Sequence, residues 1–346
     1  GVDSSVAALL MKENGYECIG VTMRLFENED AGICRKNTCC SLDDVEDARA
    51  VAFSMGIPYH VFNFADRFRE DVLDRFAAAY ENGVTPNPCI DCNRYLKFDQ
   101  LFLRARELHC DKIVTGHYAR IAQDPDTGRF LLKRSADRSK DQTYVLYSMT
   151  QEQLAHTVFP LGDMEKPQVR ALADAHGLVN ARKHDSQDIC FVQIGTYADF
   201  IEHYTGRTYP PGDFIDMNGN VLGKHKGIIR YTIGQRKGLG LALPAPMYVC
   251  RIDPDSNTVQ LGYSDDLFTS TLYAKDINLI SANSLEKPMR VKAKVRYRQP
   301  EQWATVVQTD ENTIKAEFDE PQRAVTKGQA LVLYDGDTVV GGGTIC

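Results

Sequence analysis

The sequence lacks three features that would each assign it to a familiar class of protein. No apolar run approaches the roughly 20 residues that cross a lipid bilayer, and the N-terminus lacks the basic stretch and apolar core of a secretion signal. Ten cysteines among 346 residues are too few for a disulfide scaffold. The net charge of −7 provides no excess of positive charge for indiscriminate binding to nucleic acid. We therefore expect a cytoplasmic protein with no membrane partner, whose clustered cysteines serve catalysis or metal binding.

Length and composition favour several globular domains. A single hydrophobic core usually stops growing near about 250 to 300 residues, so a chain of 346 residues is long enough for two or three domains. Apolar residues make up 43% of the chain and charged residues 25%, a balance that excludes extended disorder. The sequence shows no internal repeat and no low-complexity segment.

The first third of the chain alternates between helical and strand patterns. Helices are predicted over residues 4–12, 41–55, 67–82 and 97–108, and strands over 18–24, 59–63 and 112–115. Ser41, with Asp44 three residues later, marks the expected start of the second helix. The alternation predicts an α/β domain with a doubly wound, mostly parallel sheet, in which ligands bind beyond the carboxyl ends of the strands.

After about residue 200 the pattern changes to short strands separated by turn signals such as Pro210-Pro211-Gly212. This part is expected to form two small all-β modules, the last of them a β-barrel. The predicted domain limits are 1–198, 199–272 and 273–346.

Residues 1–5, with the sequence Gly-Val-Asp-Ser-Ser, open the first predicted helix. Free N–H groups and partial positive charge at a helix N-terminus suit a phosphate group. A simple N-cap role for Asp3 or Ser4 would explain the same residues.

Cysteines occur in a proline-containing segment, and a further cysteine, Cys190, follows much later. Pro86 and Pro88 predict an extended loop that exposes Cys89 and Cys92. A Cys-x-x-Cys pair in a reducing compartment fits a redox pair, half of a zinc site, or the ligands of a cluster. A zinc ribbon is disfavoured because no second Cys-x-x-Cys follows. Three irregularly spaced cysteines are interpreted as inert rather than as further ligands: Cys34, Cys39 and Cys40.

Two basic segments lie in the all-β part. Cations alternate with mostly apolar residues at 290, 292, 294, 296 and 298, so a strand there places five positive charges on one face. Such a face suits RNA phosphates, although a solvated outer face of a barrel is the alternative. A second run lies among glycines and contains Lys224, Lys226, Arg230, Arg236 and Lys237.

Several segments together resemble one protein family. Gly1 to Ser5 match the second half of the phosphate loop of the ATP pyrophosphatase (PP-loop) superfamily, and almost the whole chain resembles the tRNA-specific 2-thiouridylases, the MnmA/TrmU family. The segments that carry the resemblance are residues 1–5, 87–93, 115–120, 140–142, 186–191, 234–240 and 295–299. Each is a modest signal alone, whereas all of them in this order are specific.

The resemblance implies that the C2 oxygen of the wobble uridine of tRNA is replaced by sulfur. ATP, with Mg²⁺, would transfer AMP to that oxygen and release pyrophosphate, which turns a poor leaving group into a good one. Cys190 is implied to carry a persulfide and Cys92 to be the catalytic thiol. Attack of Cys92 on the persulfide would release sulfide beside the activated base and leave a Cys92–Cys190 disulfide.

The resemblance also assigns binding roles, position by position. The residues implied to bind ATP are Gly1, Val2, Asp3, Ser4, Met23 and Gly116. Those implied for the target base are Asn87, Pro88 and Cys89. Those implied for tRNA are His117, Lys140, Asp141, Gln142, Arg296, Tyr297 and Gln329. For His117, a structural histidine is the alternative.

Cys89 departs from part of the family, in which an aspartate at this position resembles an acid/base group. Cys89, Cys92 and Cys190 together resemble the thiolate set of relatives with a [4Fe-4S] cluster, so a persulfide route and a cluster route both stay open. A cysteine desulfurase or a sulfur-relay protein is the implied sulfur donor.

Two other functions are weighed. One is an amide-forming PP-loop synthetase, a hypothesis that gives no role to the three cysteines or to the two basic β modules. A non-catalytic iron–sulfur RNA-binding protein would use the nucleotide fold only as a scaffold.

Overall fold

The computed structural model describes residues 1–26, 42–183, 189–193 and 195–346. Its first part alternates helices and strands, as the sequence pattern predicts. The elements up to the third strand are α1 (Val2–Glu13), β1 (Gly20–Arg24), α2 (Leu42–Ser54), β2 (Tyr59–Asn63), α3 (Ala65–Phe68), α4 (Arg75–Glu81), α5 (Pro88–Asp91), α6 (Leu101–Glu107) and β3 (Ile113–Val114). Ser41, the expected N-cap of the second helix, lies outside the described residues.

The chain continues with a hairpin and further helices, the last of which leads into the middle module. These elements are β4 (Ala119–Gln123), β5 (Phe130–Arg134), α7 (Thr143–Leu146), α8 (Gln151–Ala155), β6 (Thr157–Val158), α9 (Lys166–Ala175) and α10 (Tyr197–Thr205). β1 pairs in parallel with β2, and β3 pairs in parallel with β6. Helices α1 and α9 pack together through fully buried side chains such as Val6 and Val169. The predicted α/β class with parallel strands is confirmed.

Two stretches of π-helix were not predicted. One, Arg69–Asp74, divides the helix expected over residues 67–82 between α3 and α4. The other, Cys92–Gln100, continues directly from α5. A π-helix is rare and is often found at functional sites, and the second stretch begins on a candidate catalytic cysteine.

The middle module is a four-stranded sheet in the order β8-β7-β10-β9. Its strands are β7 (Gly212–Ile215), β8 (Val221–His225), β9 (Tyr248–Asp253) and β10 (Thr258–Gly262). Short 3₁₀ turns occur at Ile228–Arg230 and Ser264–Leu267. Phe214, Val249 and Val259 are fully buried, and they join the same apolar cluster as the cysteine region of the first domain.

The last module is a closed six-stranded barrel, as expected. Its strands are β11 (Phe268–Leu279), β12 (Met289–Lys294), β13 (Gln302–Asp310), β14 (Thr313–Arg323), β15 (Ala330–Asp335) and β16 (Thr338–Ile345). The barrel closes because β11 pairs with both β14 and β16. Val291 and Ala293 point into its core, which leaves the cations of β12 on the outer face.

The first domain and the barrel share one sheet. β16 pairs with β5 at Thr338 and Lys133, which adds the β4–β5 hairpin to the barrel strands. A Cβ atom at Gly342 would lie 2.8 Å from the Tyr147 ring, so glycine is needed where β16 passes the first domain. The barrel is thereby held in one position relative to the cysteine region. Within the described residues, no helix has both the length and the apolarity required to cross a membrane.

Candidate functional site

Five of the six residues predicted to bind ATP lie at or against the start of α1. Gly1 is the N-cap residue, and the hydroxyls of Ser4 and Ser5 donate to its carbonyl oxygen at 3.0 and 3.2 Å. Gly116 follows β3 and lies directly against this turn, since a Cβ atom there would be 2.6 Å from the Asp3 carbonyl carbon. Any larger residue at 116 would displace the turn, so the structure gives this glycine a clear steric role.

Asp3 has two partners that sequence reasoning missed. The Lys166 ammonium group lies 2.7 and 2.8 Å from its two carboxylate oxygens, and the Tyr118 hydroxyl donates to one of them at 2.9 Å. Lys166 is only 7% exposed and is the first residue of α9. Pro167 signals a helix start at this place, but nothing in the sequence connects Lys166 with Asp3. Met23, on β1, packs against the apolar cluster that contains Cys92.

The cysteine segment is helical where an extended loop was expected. Asn87 caps α5, its side-chain oxygen accepting from the Cys89 N–H at 3.2 Å, and Pro88 occupies the first helical position. Both residues favour a helix start, which explains why the prediction of an extended loop was wrong. Cys89 is exposed, whereas Cys92 is buried at the first residue of the π-helix.

Both thiols are difficult to ionise. Burial raises the pKa of Cys92 above its usual value. Although residue Cys89 is exposed, the surrounding protein partly desolvates its thiol and raises its pKa as well. The ammonium group of Lys97 opposes the shift at both cysteines. Lys97 follows Cys92 by five residues in the same π-helix. Because the hydrogen bonds of a π-helix join residues five apart, the two residues lie on the same side of it. Arg94 is closer in the chain, but Lys97 is the cation whose charge acts on both thiols.

Asp91 lies between the two cysteines in the chain. Burial raises the pKa of its carboxyl to about 6, against the attraction of Arg75 and Arg94. A carboxyl with this pKa exchanges its proton near neutral pH. The chain thus has a titratable carboxyl two residues from Cys89, the position where part of the family has aspartate.

Cys190 meets the same apolar cluster as Cys92. Cys92 is a buried member of this cluster, and Cys190 packs against it half-buried. The next residue, Phe191, is 1% exposed, with its ring 5.1 Å from Phe76 and 4.9 Å from Phe200. The structure therefore brings the two candidate sulfur-transfer cysteines to one cluster, although 97 residues of chain separate them. Residues 185–188, and Cys34, Cys39 and Cys40, lie outside the described residues.

His117 has the environment of a structural histidine. It is 8% exposed, its Nδ1 lies 2.8 Å from the Thr115 hydroxyl, and the rings of Phe98 and Phe159 flank it at 5.9 Å. Burial, assisted by Lys97, holds its pKa well below the usual histidine value. The imidazole is accordingly neutral at physiological pH, and its implied RNA contact stays a prediction.

Three positions predicted to contact tRNA tie the barrel to the other domains. Gln329 donates to the carbonyl oxygen of Thr85 at 2.8 Å, and the Tyr297 hydroxyl donates to that of Asp141 at 3.3 Å. Cys89 lies close enough to Tyr297 to help raise its pKa, after burial and Asp141. The barrel surface therefore reaches the cysteine segment. Arg296 donates to oxygens of the middle module and the barrel.

The segment 140–142 is held against the loop that follows β3. The Asp141 carboxylate accepts from the Ser135 N–H at 3.0 Å and from the Thr143 hydroxyl at 2.6 Å. The Gln142 side chain accepts from the Tyr118 N–H at 2.9 Å. Lys140 precedes them in the same turn.

The basic strand carries three outward cations rather than five. β12 ends at Lys294, so Arg296 and Arg298 lie in the turn beyond it, because the chain bends at Val295 before β13. Arg290 is paired with Asp319, with Nη1 2.7 Å from Oδ1, and Lys292 lies 3.8 Å from Glu301. The outer face is therefore partly compensated by carboxylates.

Within the described ranges, no three His, Cys, Asp or Glu side chains are grouped to hold a metal ion. Cys89, Cys92 and Cys190 consequently do not fit a [4Fe-4S] cluster as they are placed, and burial favours the protonated form of Cys92. Around Asp3, the carboxylate is already satisfied by Lys166 and Tyr118, so the residues that the structure describes there do not form a Mg²⁺ site on their own.

The fold and the site define a nucleotide-type α/β domain with a cysteine cluster, joined to two β modules. Three domain models match the chain in this order: "tRNA methyl transferase HUP domain" over residues 1–194, "tRNA methyl transferase PRC-barrel domain" over 198–263, and "Aminomethyltransferase beta-barrel domain" over 269–345.

Full-length relatives are named tRNA-specific 2-thiouridylase MnmA. The relative from Clostridioides difficile is 53% identical, with 100% of this chain and 95% of the relative covered. Those from Acetivibrio thermocellus and Moorella thermoacetica are each 52% identical, covering 100% of this chain and 96% and 97% of the relatives. The chain belongs to the family of tRNA-specific 2-thiouridylases.

Proposed function

We propose that this protein uses ATP to replace the C2 oxygen of the tRNA wobble uridine with sulfur. The observation that carries the proposal is that Cys92 and Cys190 both pack in one apolar cluster, with Cys89 three residues before Cys92 in the chain. Although the domain models are titled for methyl transfer, the full-length relatives are named for thiolation. Converging cysteines are what sulfur transfer requires.

The first step activates the base. ATP phosphates would bind at the N-terminus of α1, where the N–H groups of Val2, Asp3 and Ser4 begin the helix. Lys166 supports this turn through Asp3 and adds positive charge beneath it. Attack of the uridine C2 oxygen on the α-phosphorus would form an adenylate and release pyrophosphate, and Mg²⁺ would neutralise phosphate charge when bound with ATP.

The second step transfers sulfur. The Cys92 thiolate attacks the inner sulfur of a Cys190 persulfide, forming the Cys92–Cys190 disulfide and releasing hydrosulfide. The hydrosulfide adds to C2 of the adenylated uridine, AMP leaves with the former C2 oxygen, and loss of a proton gives 2-thiouridine. Cys92 is oxidised from thiol to disulfide while the outer persulfide sulfur is reduced to hydrosulfide, so an external dithiol must reduce the disulfide before the next cycle.

Electrostatics sets a requirement on the Cys92 thiol. Since burial raises its pKa, Cys92 must lose a proton before it attacks, and the nearby ammonium group of Lys97 favours the thiolate. The charge of Asp91, the preceding residue, acts in the opposite direction and raises the pKa of Cys92. We derive no step through a [4Fe-4S] cluster, because the described cysteines do not form a ligand set.

Substrate binding would use the surface where the barrel meets the cysteine segment. Tyr297 and Gln329 lie there, and Asn87 and Pro88 are at the start of α5 beside Cys89. The outer cations of β12 extend this surface away from the site. We further propose domain limits at 198 and 272, a cysteine desulfurase or relay protein as sulfur donor, and the cytoplasm as location.

Pyrophosphate release tests the proposal against an amide-forming synthetase. Unmodified tRNA bearing a wobble uridine should stimulate release of pyrophosphate and AMP from ATP, and amino acids should not. Release that depends on a small carboxylic acid and is indifferent to tRNA would contradict the proposed function.

A further inference from the structure

Lys97 is a half-buried cation to which the described residues provide no counter-ion. It lies in the π-helix Cys92–Gln100, on the side of this helix that carries Cys92. Across the part of the chain that the structure describes, no carboxylate forms an ion pair with its ammonium group. By contrast, Arg104 on the next helix is paired with Glu107 at 2.6 Å. A cation that is partly removed from water and left unpaired suits an anion that arrives during the reaction.

The packing of the next residue links Lys97 to the turn proposed to hold ATP. The Phe98 ring is 1% exposed and lies 5.9 Å from the His117 ring. His117 follows Gly116, which lies directly against the start of α1. The charge of Lys97 acts on both cysteine thiols of its own segment and also on the His117 imidazole. The ammonium group is therefore within electrostatic reach of the cysteine segment and of the loop that borders the ATP turn.

The proposed sulfur transfer produces an anion beside this cation. The Cys92 thiolate forms a bond to the inner sulfur of the Cys190 persulfide, and the persulfide S–S bond breaks. The outer sulfur leaves with the bonding electron pair, as hydrosulfide. Because Cys92 is buried, hydrosulfide forms where little water is available to solvate its charge. Without a nearby cation it would take up a proton and leave as hydrogen sulfide, which is a weaker nucleophile.

Asn93, the residue after Cys92, has an unused hydrogen-bond acceptor. Asn93 is 2% exposed, and its side-chain nitrogen donates to the carbonyl oxygen of Val145 at 3.0 Å. Its Oδ1 is buried and has no donor among the described residues. Hydrosulfide carries one S–H group, so it can donate to an amide oxygen while its sulfur accepts from an ammonium group. The π-helix thus carries a fixed acceptor and an unpaired cation four residues apart, next to the thiol that releases the anion.

We infer that Lys97 binds the hydrosulfide released at Cys92 and holds it beside the adenylated uridine until it adds to C2. The inference rests on the proposed function and adds to it a binding site for the sulfur intermediate, with Asn93 Oδ1 as the acceptor of the S–H group. The ATP turn has a buried cation of its own in Lys166, so Lys97 is not needed there. One positive charge then serves two successive sulfur anions, the thiolate and the hydrosulfide.

The test measures where the sulfur goes after it leaves the persulfide. Wild-type protein, Lys97→Met and Lys97→Arg are loaded with radiolabelled persulfide and mixed with ATP and unmodified tRNA for a single turnover. The label is divided between 2-thiouridine and free sulfide, which is trapped with monobromobimane. Both products form after the attack by Cys92, so their ratio is independent of the rate of that attack.

Loss of the charge in Lys97→Met should raise the ratio of free sulfide to 2-thiouridine by about tenfold, the effect of losing one charge-assisted hydrogen bond. Lys97→Arg keeps the charge and should retain most of the incorporation into tRNA. Lys287→Met, at an exposed position before β12, should equal wild type. Because no described carboxylate is paired with Lys97, Lys97→Met leaves no partner charge uncompensated, and the variant should fold.

An unchanged ratio in Lys97→Met would overturn the inference. Pyrophosphate release is measured on the same samples, because slower adenylation would also leave sulfide without an acceptor. A leak of sulfide that is matched by an equal fall in pyrophosphate release would assign Lys97 to adenylation, and it would also overturn the inference.

Inorganic sulfide replaces the persulfide as donor if Lys97→Met releases too little sulfur for a ratio. The KM for sulfide should then rise by about tenfold in this variant, and an equal KM would count against the inference. Wild-type protein that forms no 2-thiouridine refutes the proposed function. An active wild type with an unchanged ratio in Lys97→Met refutes the inference alone.

Discussion

The ammonium group of Lys166 contacts both carboxylate oxygens of Asp3, at 2.7 and 2.8 Å. The pair joins the first turn of α9 to the first turn of α1, and Tyr118 completes the arrangement from the loop after β3. Three segments that are distant in the chain are thereby fixed around the turn proposed to hold ATP phosphates.

Replacing Lys166 by methionine should impair ATP use. The change leaves Asp3 as a partly buried carboxylate without its cation, which repels phosphate and costs about 1 to 3 kcal/mol of stability, less than a fully buried pair because Asp3 is partly exposed. We expect the KM for ATP to rise by about tenfold or more, measured by tRNA-dependent pyrophosphate release. Lys315→Met, at a surface pair with Glu317 on the barrel, is the control. An unchanged KM for ATP in Lys166→Met would contradict this role.

The reactivity of Cys92 should depend on Lys97. Because burial raises the thiol pKa and Lys97 opposes the shift, alkylation of Cys92 should increase with pH beyond the range of an ordinary thiol, and Lys97→Met should move the midpoint to still higher pH. Mass spectrometry of the labelled peptide at each pH gives the profile. Lys287→Met, in the loop before β12, should leave it unchanged. A midpoint that falls, or does not move, in Lys97→Met would show that Lys97 does not favour the thiolate.

The protein should not hold a [4Fe-4S] cluster, and Cys89 should therefore not be needed as an iron ligand. Since the described cysteines form no ligand group, protein purified without oxygen should contain far less than the roughly four iron atoms per chain of a [4Fe-4S] centre, and Cys89→Ala should keep sulfur transfer from a persulfide donor. Iron and acid-labile sulfide are measured together with 2-thiouridine. Stoichiometric iron that disappears in an inactive Cys89→Ala protein would favour the cluster route instead.

Trp303 is a natural reporter of RNA at the barrel. It is the single tryptophan of the chain and is 49% exposed on β13, with Arg290 and Lys292 within 5.3 and 5.6 Å of its ring. If the outer face of β12 meets tRNA, binding should change the fluorescence of this residue, and high salt should reverse the change. Trp303→Phe should give no signal while retaining activity. Constant fluorescence, under conditions where filter binding detects the complex, would place the tRNA elsewhere.

Local patterns predicted much of the first domain because its elements depend on near neighbours. The strand expected over residues 59–63 is β2 itself, and the helix expected over 41–55 differs from α2 by one residue at each end. The spacing of turn signals likewise predicted the all-β character of the two later modules. The π-helix at Cys92 could not be predicted, because its apolar spacing resembles that of an ordinary helix.

Contacts between distant segments were beyond sequence reasoning. The pairing of Lys166 with Asp3 spans 163 residues, and the β4–β5 hairpin joins the barrel through a strand near the C-terminus. For Arg296, alternation predicted an outward cation on a strand, but the turn after Lys294 redirects it into contacts between two modules. The predicted domain limits and the individual site roles stay predictions.

The central claim is most directly tested by nucleoside mass spectrometry of tRNA. Wild-type protein, supplied with ATP, unmodified tRNA, a cysteine desulfurase system and a dithiol, should form 2-thiouridine at the wobble position. Cys190→Ser should form none and yet bind ATP and tRNA, while Cys250→Ser, at a half-buried cysteine of the middle module, should behave as wild type. Wobble 2-thiouridine formed at the wild-type rate by Cys190→Ser would contradict the account.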